Sequence, residues 1–314
     1  MRVWPERLHC TAVRYRSPVE MIASVPKQEN TLVGGRRLRG MKKQGAADTP
    51  LVSIVTIVRN GEEHIRKTIE SVLQQSYDPI EYIIIDGKSE DNTVSILREY
   101  DKKIDLWQSE PDDGISDAFN KGVRAARGDI IGLINCGDWY EDEAVQRVVD
   151  AFSVNQEVGV VCGTLQFWKR ENRQYCCPSA PRLLEREMTV THPTCFIRSV
   201  LYRRFGLYST DYRLAMDYEL LLRFKRQGVQ FLSLEDVLAN MQHDGTSEEN
   251  WKNALQETHK ARAALLENSF FTGHGYYLFL VAKRQLRIVL EKFGWNGFIR
   301  VYRSRLALVK KYKT

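Results

Sequence analysis

Residues Leu51 to Val58 read Leu-Val-Ser-Ile-Val-Thr-Ile-Val and stop at Arg59-Asn60-Gly61. The run is apolar and β-branched almost throughout, without the alternation of a strand that keeps one wet face. It predicts a strand buried on both faces. Such a strand needs cover above and below, and in an α/β layering helices provide it.

The chain that follows supplies them. Glu62 to Gln75 places Ile65, Ile69, Val72 and Leu73 on one helical face. Ile80 to Ile85 predicts a second buried strand, ending at Asp86-Gly87. Asp91-Asn92 predicts a helix start, with the helix running to Tyr100. Ile104 to Gln108 reads as a short third strand. Ile115 to Ala126 reads as a helix that Gly128 breaks, and Asp129 to Ile134 as a fourth strand ending at Asn135-Cys136-Gly137-Asp138. This alternation predicts one mostly parallel, Rossmann-like sheet flanked by helices. In such sheets ligands sit beyond the carboxyl ends of the strands. Polar clusters stand at four of those ends: Arg59-Asn60, Asp86, Glu110 to Asp113, and Asn135 to Asp138.

Taken singly, Asp86 and Asp138 are each either turn aspartates or ligands. A carboxylate at Asp86 can accept hydrogen bonds from a nucleobase or ribose. One at Asp138 suits a hard divalent cation, which prefers oxygen. The glycine-rich fingerprints of dinucleotide-binding domains and of P-loop hydrolases are absent after the first strand.

Five blocks, taken in order, resemble the catalytic domain of the family 2 glycosyltransferases. They are Val52 to Asn60, Ile69 to Tyr77, Glu81 to Asp86, Ser109 to Gly122 and Gly128 to Asp138. The last two are most similar to a subgroup that builds bacterial surface polysaccharides of the colanic acid type. Thr191 to Arg198 and Leu214 to Arg223 extend the resemblance over roughly 50–250.

The resemblance implies a GT-A fold and an inverting transfer from a nucleoside-diphosphate sugar to a saccharide hydroxyl, assisted by Mn2+ or Mg2+. It implies donor contacts from Asn60, Asp86, Asp117, Lys121 and Asn135, and a metal carboxylate at Asp138. Here Asn135-Cys136-Gly137-Asp138 stands where many members carry three carboxylates. One carboxylate and an amide carbonyl remain, so much of the cation's coordination would fall to diphosphate and water. The subgroup itself often shows an Asn-x-Gly-Asp string.

Asp217 is implied as the general base, the single carboxylate an inverting transfer needs, because a metal-bound diphosphate leaves without protonation. Its alternative is a helix N-cap. Glu219, in the first turn of the same helix, is grouped with the acceptor side. His192 is either an acceptor or diphosphate contact, or a satisfied structural histidine. His243 is either a further metal ligand or a loop residue.

Charge divides the 314 residues into three. Residues 1–50 carry a net +6, 51–272 carry −9 and 273–314 carry +9. Basic ends on an acidic body suit anionic partners. A hydrophobic share of 43% and a charged share of 27% exclude a collagen, a wholly disordered chain and a disulfide-knotted miniprotein. Tyr276 to Ala282 is the longest clean apolar run of the C-terminal third, far short of the ~20 residues of a spanning helix. The six cysteines form no zinc-type spacing and are read as reduced cytosolic thiols.

The expected organisation is therefore a disordered basic segment over 1–49, with Met41 a possible start. A catalytic domain follows over 50–249, with a donor half at 50–150 and an acceptor half at 151–249. Basic amphipathic helices over 250–314 form a helical extension. The expected partners are a nucleotide sugar, a saccharide or lipid-linked saccharide and an anionic membrane surface, with no nucleic acid. The expected location is cytoplasmic, at the inner face of a membrane. A sugar nucleotidyltransferase would need a basic phosphate loop where Arg59-Asn60-Gly61-Glu62 stands. A non-catalytic nucleotide or nucleic-acid binder would have no use for acids at four strand ends.

Overall fold

The computed structural model describes residues 31–46, 48–242, 250–267 and 270–293, together with Val309 and Tyr312. In chain order the elements are β1 (Leu32–Gly34), β2 (Val52–Val58), α1 (Ile65–Leu73), β3 (Ile80–Asp86), α2 (Thr93–Glu99) and β4 (Leu106–Ser109). Then come α3 (Ile115–Ala125), β5 (Ile130–Asn135), β6 (Trp139–Tyr140), α4 (Ala144–Val154), β7 (Val158–Lys169) and β8 (Asn172–Cys177). The chain continues through β9 (Phe196–Arg198), α5 (Ser199–Phe205), α6 (Met216–Arg226), β10 (Gln230–Gln242), α7 (Trp251–Leu265) and α8 (His274–Lys292).

The strands form one sheet in the order β1-β4-β3-β2-β5-β9-β7-β10-β6, with β8 paired to β7. Strands β4, β3, β2 and β5 are parallel, as are β7 and β10, while β1, β9, β6 and β8 join antiparallel. The β-branched run explains the centre. On β2, Val52 and Ile54 point into one core with Ile65 and Ile69 of α1 and Val145 and Val148 of α4. Val55 points the other way, toward Phe119 of α3 and Leu220 of α6. Strand β3 repeats this, with Tyr82 and Ile84 on the first side and Ile83 and Ile85 on the second.

Order begins earlier in the chain than the sequence suggests. Residues 1–30 lie outside the described set, but Leu32–Gly34 pair with Trp107–Ser109 and extend the sheet by a strand. Arg37, three residues on, reaches the interior, where its guanidinium pairs with Glu81 and donates to the Ala125 carbonyl at 2.8 Å. Glu81 sits in the doubly buried β3, and its other oxygen accepts from Ser53 Oγ and from the Arg127 amide. A carboxylate in that position is tolerable only with a cation beside it. This corrects the expectation of disorder through residue 49. The segment is short and arginine-rich, and its order comes from partners dozens of residues away. A chain beginning at Met41 would lack both β1 and Arg37.

β7 turns through Arg170, in left-handed backbone (φ 54°), into β8. Of the helices expected over 250–314, the part beyond Phe293 lies outside the described residues, apart from Val309 and Tyr312.

Arg37→Ala should lower stability by about 3–5 kcal/mol, the usual cost of leaving a buried charge unpaired. Urea unfolding followed by circular dichroism measures it. Adding Glu81→Gln to that variant should restore part of the loss, because it removes the orphaned charge.

Candidate active site

The carboxyl ends of β2, β3, β4 and β5 carry the polar residues that the sequence places there. After β2, Asn60 adopts left-handed backbone (φ 51°), which an asparagine tolerates better than most residues. Its amide N–H donates to Ser89 Oγ at 2.7 Å, and its Oδ1 accepts from the Glu90 N–H at 2.9 Å. Asn60 thus ties the β2 turn to the β3 turn.

Asp86, the last residue of β3, is wholly buried. It accepts from the Ser89 amide at 3.0 Å, from Ser89 Oγ, and from Ser109 Oγ at 2.6 Å. It is the organiser of two adjoining strand ends.

Asp117 and Lys121 project from α3 toward the loop after β4. Lys121 Nζ lies 2.9 Å from Glu110 and 3.2 Å from Asp117, and donates to the Pro111 carbonyl at 2.6 Å. Asp117 accepts from the Asp113 N–H at 3.2 Å. Both side chains therefore brace the Pro111–Gly114 loop. Thr31, just before β1, joins the brace by donating to Glu110 at 3.0 Å.

The end of β5 differs from the other three. Gly137 turns the chain at φ 96°, in the left-handed region that favours glycine. Thr68 of α1 pins that turn: it accepts from the Gly137 N–H at 3.0 Å and donates to the Asp138 carbonyl at 2.8 Å. The Asp138 side chain is held in place, 5% exposed, with no hydrogen-bond partner on Oδ2. Asn135 Oδ1 is likewise buried and unpartnered. Desolvation pushes the Asp138 carboxyl up to about 8.

The unpartnered Asp138 carboxyl and, three residues before it, the unpartnered Asn135 amide oxygen are hard oxygen donors. That set fits Mn2+ or Mg2+. Among the described residues, no three His, Cys, Asp or Glu side chains are grouped to hold a metal ion. Cys136 lies between these two oxygens in sequence, but burial raises its thiol to about 12, which leaves it inert.

The acceptor-side residues reach the same edge through β9. That strand runs antiparallel to β5, with Phe196 opposite Gly132, so its lead-in at 192–195 lies toward the carboxyl end of β5. His192 is buried there, its Nε2 2.9 Å from the Tyr208 hydroxyl and its ring 5.3 Å from that of Phe119. Burial lowers its basicity, and Asp217 opposes that shift through its charge. His192 is thus a packed, hydrogen-bonded histidine that also feels Asp217.

Asp217 is the second residue of α6, not its N-cap, which is Ala215. Desolvation raises its carboxyl above the ordinary carboxylate value, while His192 and the Tyr218 N–H, at 2.7 Å, pull the other way. Glu219, expected on the acceptor side, is buried and paired within its own helix. Both its oxygens accept from Arg223 at 2.8 Å, and Arg223 also donates to the Phe205, Gly206 and Leu207 carbonyls. His243 lies outside the described residues.

Two contributors were not legible in the sequence. Glu257 of α7 accepts from the N–H groups of Arg213, Leu214 and Ala215 at 2.7–3.2 Å. It therefore holds the turn that leads into α6, just ahead of Asp217, from 40 residues downstream, and no local pattern announces it. Lys67 of α1 stands 2.9 Å from the ring centroid of Trp139, the residue after Asp138. Its helical spacing alone makes it an ordinary surface lysine.

A mixed, mostly parallel sheet flanked by helices, with an oxygen-bearing strand end, is the architecture of a GT-A transferase. The comparisons agree. The family model described as glycosyl transferase family 2 matches residues 53–204. An uncharacterized glycosyltransferase of Mycobacterium tuberculosis is 32% identical over 190 residues, covering 55% of this chain and 68% of that one. An uncharacterized glycosyltransferase of Rickettsia typhi is 25% identical over 276 residues, 84% of this chain and 86% of that one. Among solved structures, a mannosyltransferase of Pyrobaculum calidifontis in complex with GDP-Man and Mn2+ superposes with a TM-score of 0.55 at 16% identity. That match covers 85% of this chain and 89% of the other. TarS of S. aureus in complex with UDP gives 0.55 at 15% identity, over 70% and 66%. At such identities these structures speak for the fold. The chain belongs to glycosyl transferase family 2, and it is a glycosyltransferase of GT-A type.

Glu257→Ala should lower transfer turnover while leaving nucleotide affinity unchanged, because Glu257 supports the Asp217 segment and not the β2–β5 strand ends. Steady-state rates against calorimetric nucleotide affinity make the comparison. Glu257→Gln, which keeps an acceptor oxygen, should fall between the two.

Proposed function

We propose that this glycosyltransferase moves a hexosyl group from a nucleoside-diphosphate sugar to a saccharide hydroxyl by an inverting single displacement. The observation that carries the reading is Asp138: a desolvated carboxylate, unpartnered, at the strand edge where α/β sheets bind ligands. The donor class is supported by structural neighbours that hold UDP, UDP-GlcNAc and GDP-Man.

In this reading residues 50–150 receive the donor. Asn60 and Asp86 set the floor for the nucleoside, and Asp117 and Lys121 support it by bracing the adjoining loop. Asp138, with Asn135, holds the divalent cation, which when bound neutralises charge on the departing diphosphate. Residues 151–249 receive the acceptor. Asp217 takes the proton of the attacking hydroxyl as the new bond to the anomeric carbon forms and the bond to diphosphate oxygen breaks. Its low-dielectric position makes it a stronger base than a surface aspartate, and His192 orients beside it. Among the described residues no helix is long and apolar enough to cross a membrane. We place the acceptor in the lipid-linked class and the enzyme at the inner face of a membrane, in surface-polysaccharide assembly.

A panel of UDP-, GDP- and dTDP-sugars with Mn2+ or Mg2+ tests this. One donor should release nucleoside diphosphate in a metal-dependent way. Asp138→Asn should abolish metal-dependent nucleotide binding. Asp217→Asn should keep that binding and lose turnover by about 10²–10⁴-fold, the usual worth of a general base. Absence of nucleotide binding across the panel would overturn the reading.

The rate should also fall toward acid pH. The base acts only when ionised, and burial raises its pKa. The acid limb of kcat/KM should therefore lie above the ordinary aspartate value of about 3.9. A limb at or below that value would remove Asp217 from the role.

A further inference from the structure

Helix α8 carries one apolar side buried against the body and a second that is exposed among the described residues. Tyr276, Leu280 and Leu290 are buried against the body. The Tyr276 hydroxyl donates to the Arg186 carbonyl at 3.3 Å, and Lys283 pairs with Glu187 at 2.7 Å. Those contacts fix the helix about its own axis. Further apolar side chains are exposed. Ile288 is exposed on a separate side. Leu278 is 58% exposed, Phe279 50% and Phe293 63%, and Leu286 and Val289 are also exposed.

These residues are not scattered. At about 100° per residue, Leu278, Phe279, Leu286, Val289 and Phe293 fall within a single arc of about 100°, with exposed Ala282 inside it. The arc contains no charged residue, and Lys283 and Lys292 border it on its two sides. A contiguous apolar stripe of this kind on a folded surface marks an interaction site.

We propose that this stripe of α8 seats the enzyme on an anionic lipid surface. The inference rests on the membrane placement proposed above and narrows it to one helix face. Charge selects the occupant. Residues 273–314 hold ten Lys and Arg against the single acid Glu291, a net +9. Helix α8 itself carries Lys283, Arg284, Arg287 and Lys292 against Glu291, so a second copy docked through this face would set like charges against each other. A bilayer rich in acidic headgroups offers apolar depth for the stripe and opposite charge for its surroundings. Depth is limited, because the face adjoining the stripe is bonded to the protein. The helix therefore lies along the surface and does not enter it end-on. Seated this way, α8 would hold the catalytic body by α7, whose Glu257 holds the turn into the helix of Asp217.

Co-sedimentation of the full chain with vesicles tests the proposal, using phosphatidylcholine alone and phosphatidylcholine mixed with phosphatidylglycerol. The protein should pellet with the mixed vesicles, less with the neutral ones, and progressively less as salt rises. The variant F279S/L286S changes two exposed positions, so its melting temperature should match the parent's. Its partition into mixed vesicles should fall at least about tenfold. Nucleotide binding should be unchanged, which keeps this test separate from the donor assignment. Equal partition of the variant and the parent would overturn the proposal. So would a parent that elutes as a dimer and a variant that elutes as a monomer, since the stripe would then be a contact between copies. Vesicle binding without any nucleotide binding would leave this inference standing and remove the donor reading instead.

Discussion

Strands buried on both faces leave the chain very little freedom at their ends. Between β4, β3, β2 and β5 both layers are filled by aliphatic side chains, so polar groups are pushed to the strand termini. Each reversal there must satisfy its backbone N–H and C=O groups locally, without water. Asn60 with Ser89 and Glu90, Asp86 with Ser89 and Ser109, and Lys121 with Glu110 and Pro111 are three solutions of that kind. Three ends are thereby closed within the protein. The fourth, at Asp138, keeps an oxygen without a partner. The contrast arises because all four ends are built under the same constraint.

Much of this was readable from residues 50–138. The β-branched runs fixed the parallel strands to within a residue or two, since a continuous apolar run of that length admits few alternatives. Asp86 and Asp138 were readable as positions, because they terminate those runs. What Asp86 does was not readable, because its partners Ser89 and Ser109 sit in separate turns. The partner of Glu219 was hidden for a related reason. An acid in the first helical turn suits the helix dipole, and only the fold reveals that Arg223, one turn on, claims both of its oxygens. The ordered segment before residue 41 was hidden because its stability is entirely non-local. Glu81 carried the clue: a carboxylate inside a doubly buried strand implies a cation from elsewhere.

The two aspartates of the proposed chemistry are alike in being desolvated, yet their surroundings differ. Asp138 has no polar partner on its outer oxygen, and its carboxyl is strongly raised. Asp217 is also raised, but the Tyr218 N–H and the nearby imidazole restrain the shift. The first environment rewards an incoming cation and the second keeps a base usable. Such divergence between two carboxylates is a recurrent way to divide roles in one site. The C-terminal helices contribute to this division at a distance. Glu257 holds the turn into α6, so the helix that carries Asp217 depends on a segment that the catalytic motifs do not include.

The central claim is that Asp138 is where the protein meets a cation-borne diphosphate. Diffraction at the manganese edge, from crystals grown with Mn2+ and a nucleoside diphosphate, addresses it directly. An anomalous peak within coordination distance of Asp138 Oδ2, with the diphosphate on its far side, is the predicted result. Bound nucleotide with the manganese peak elsewhere, and Asp138 still unpartnered, would contradict the account.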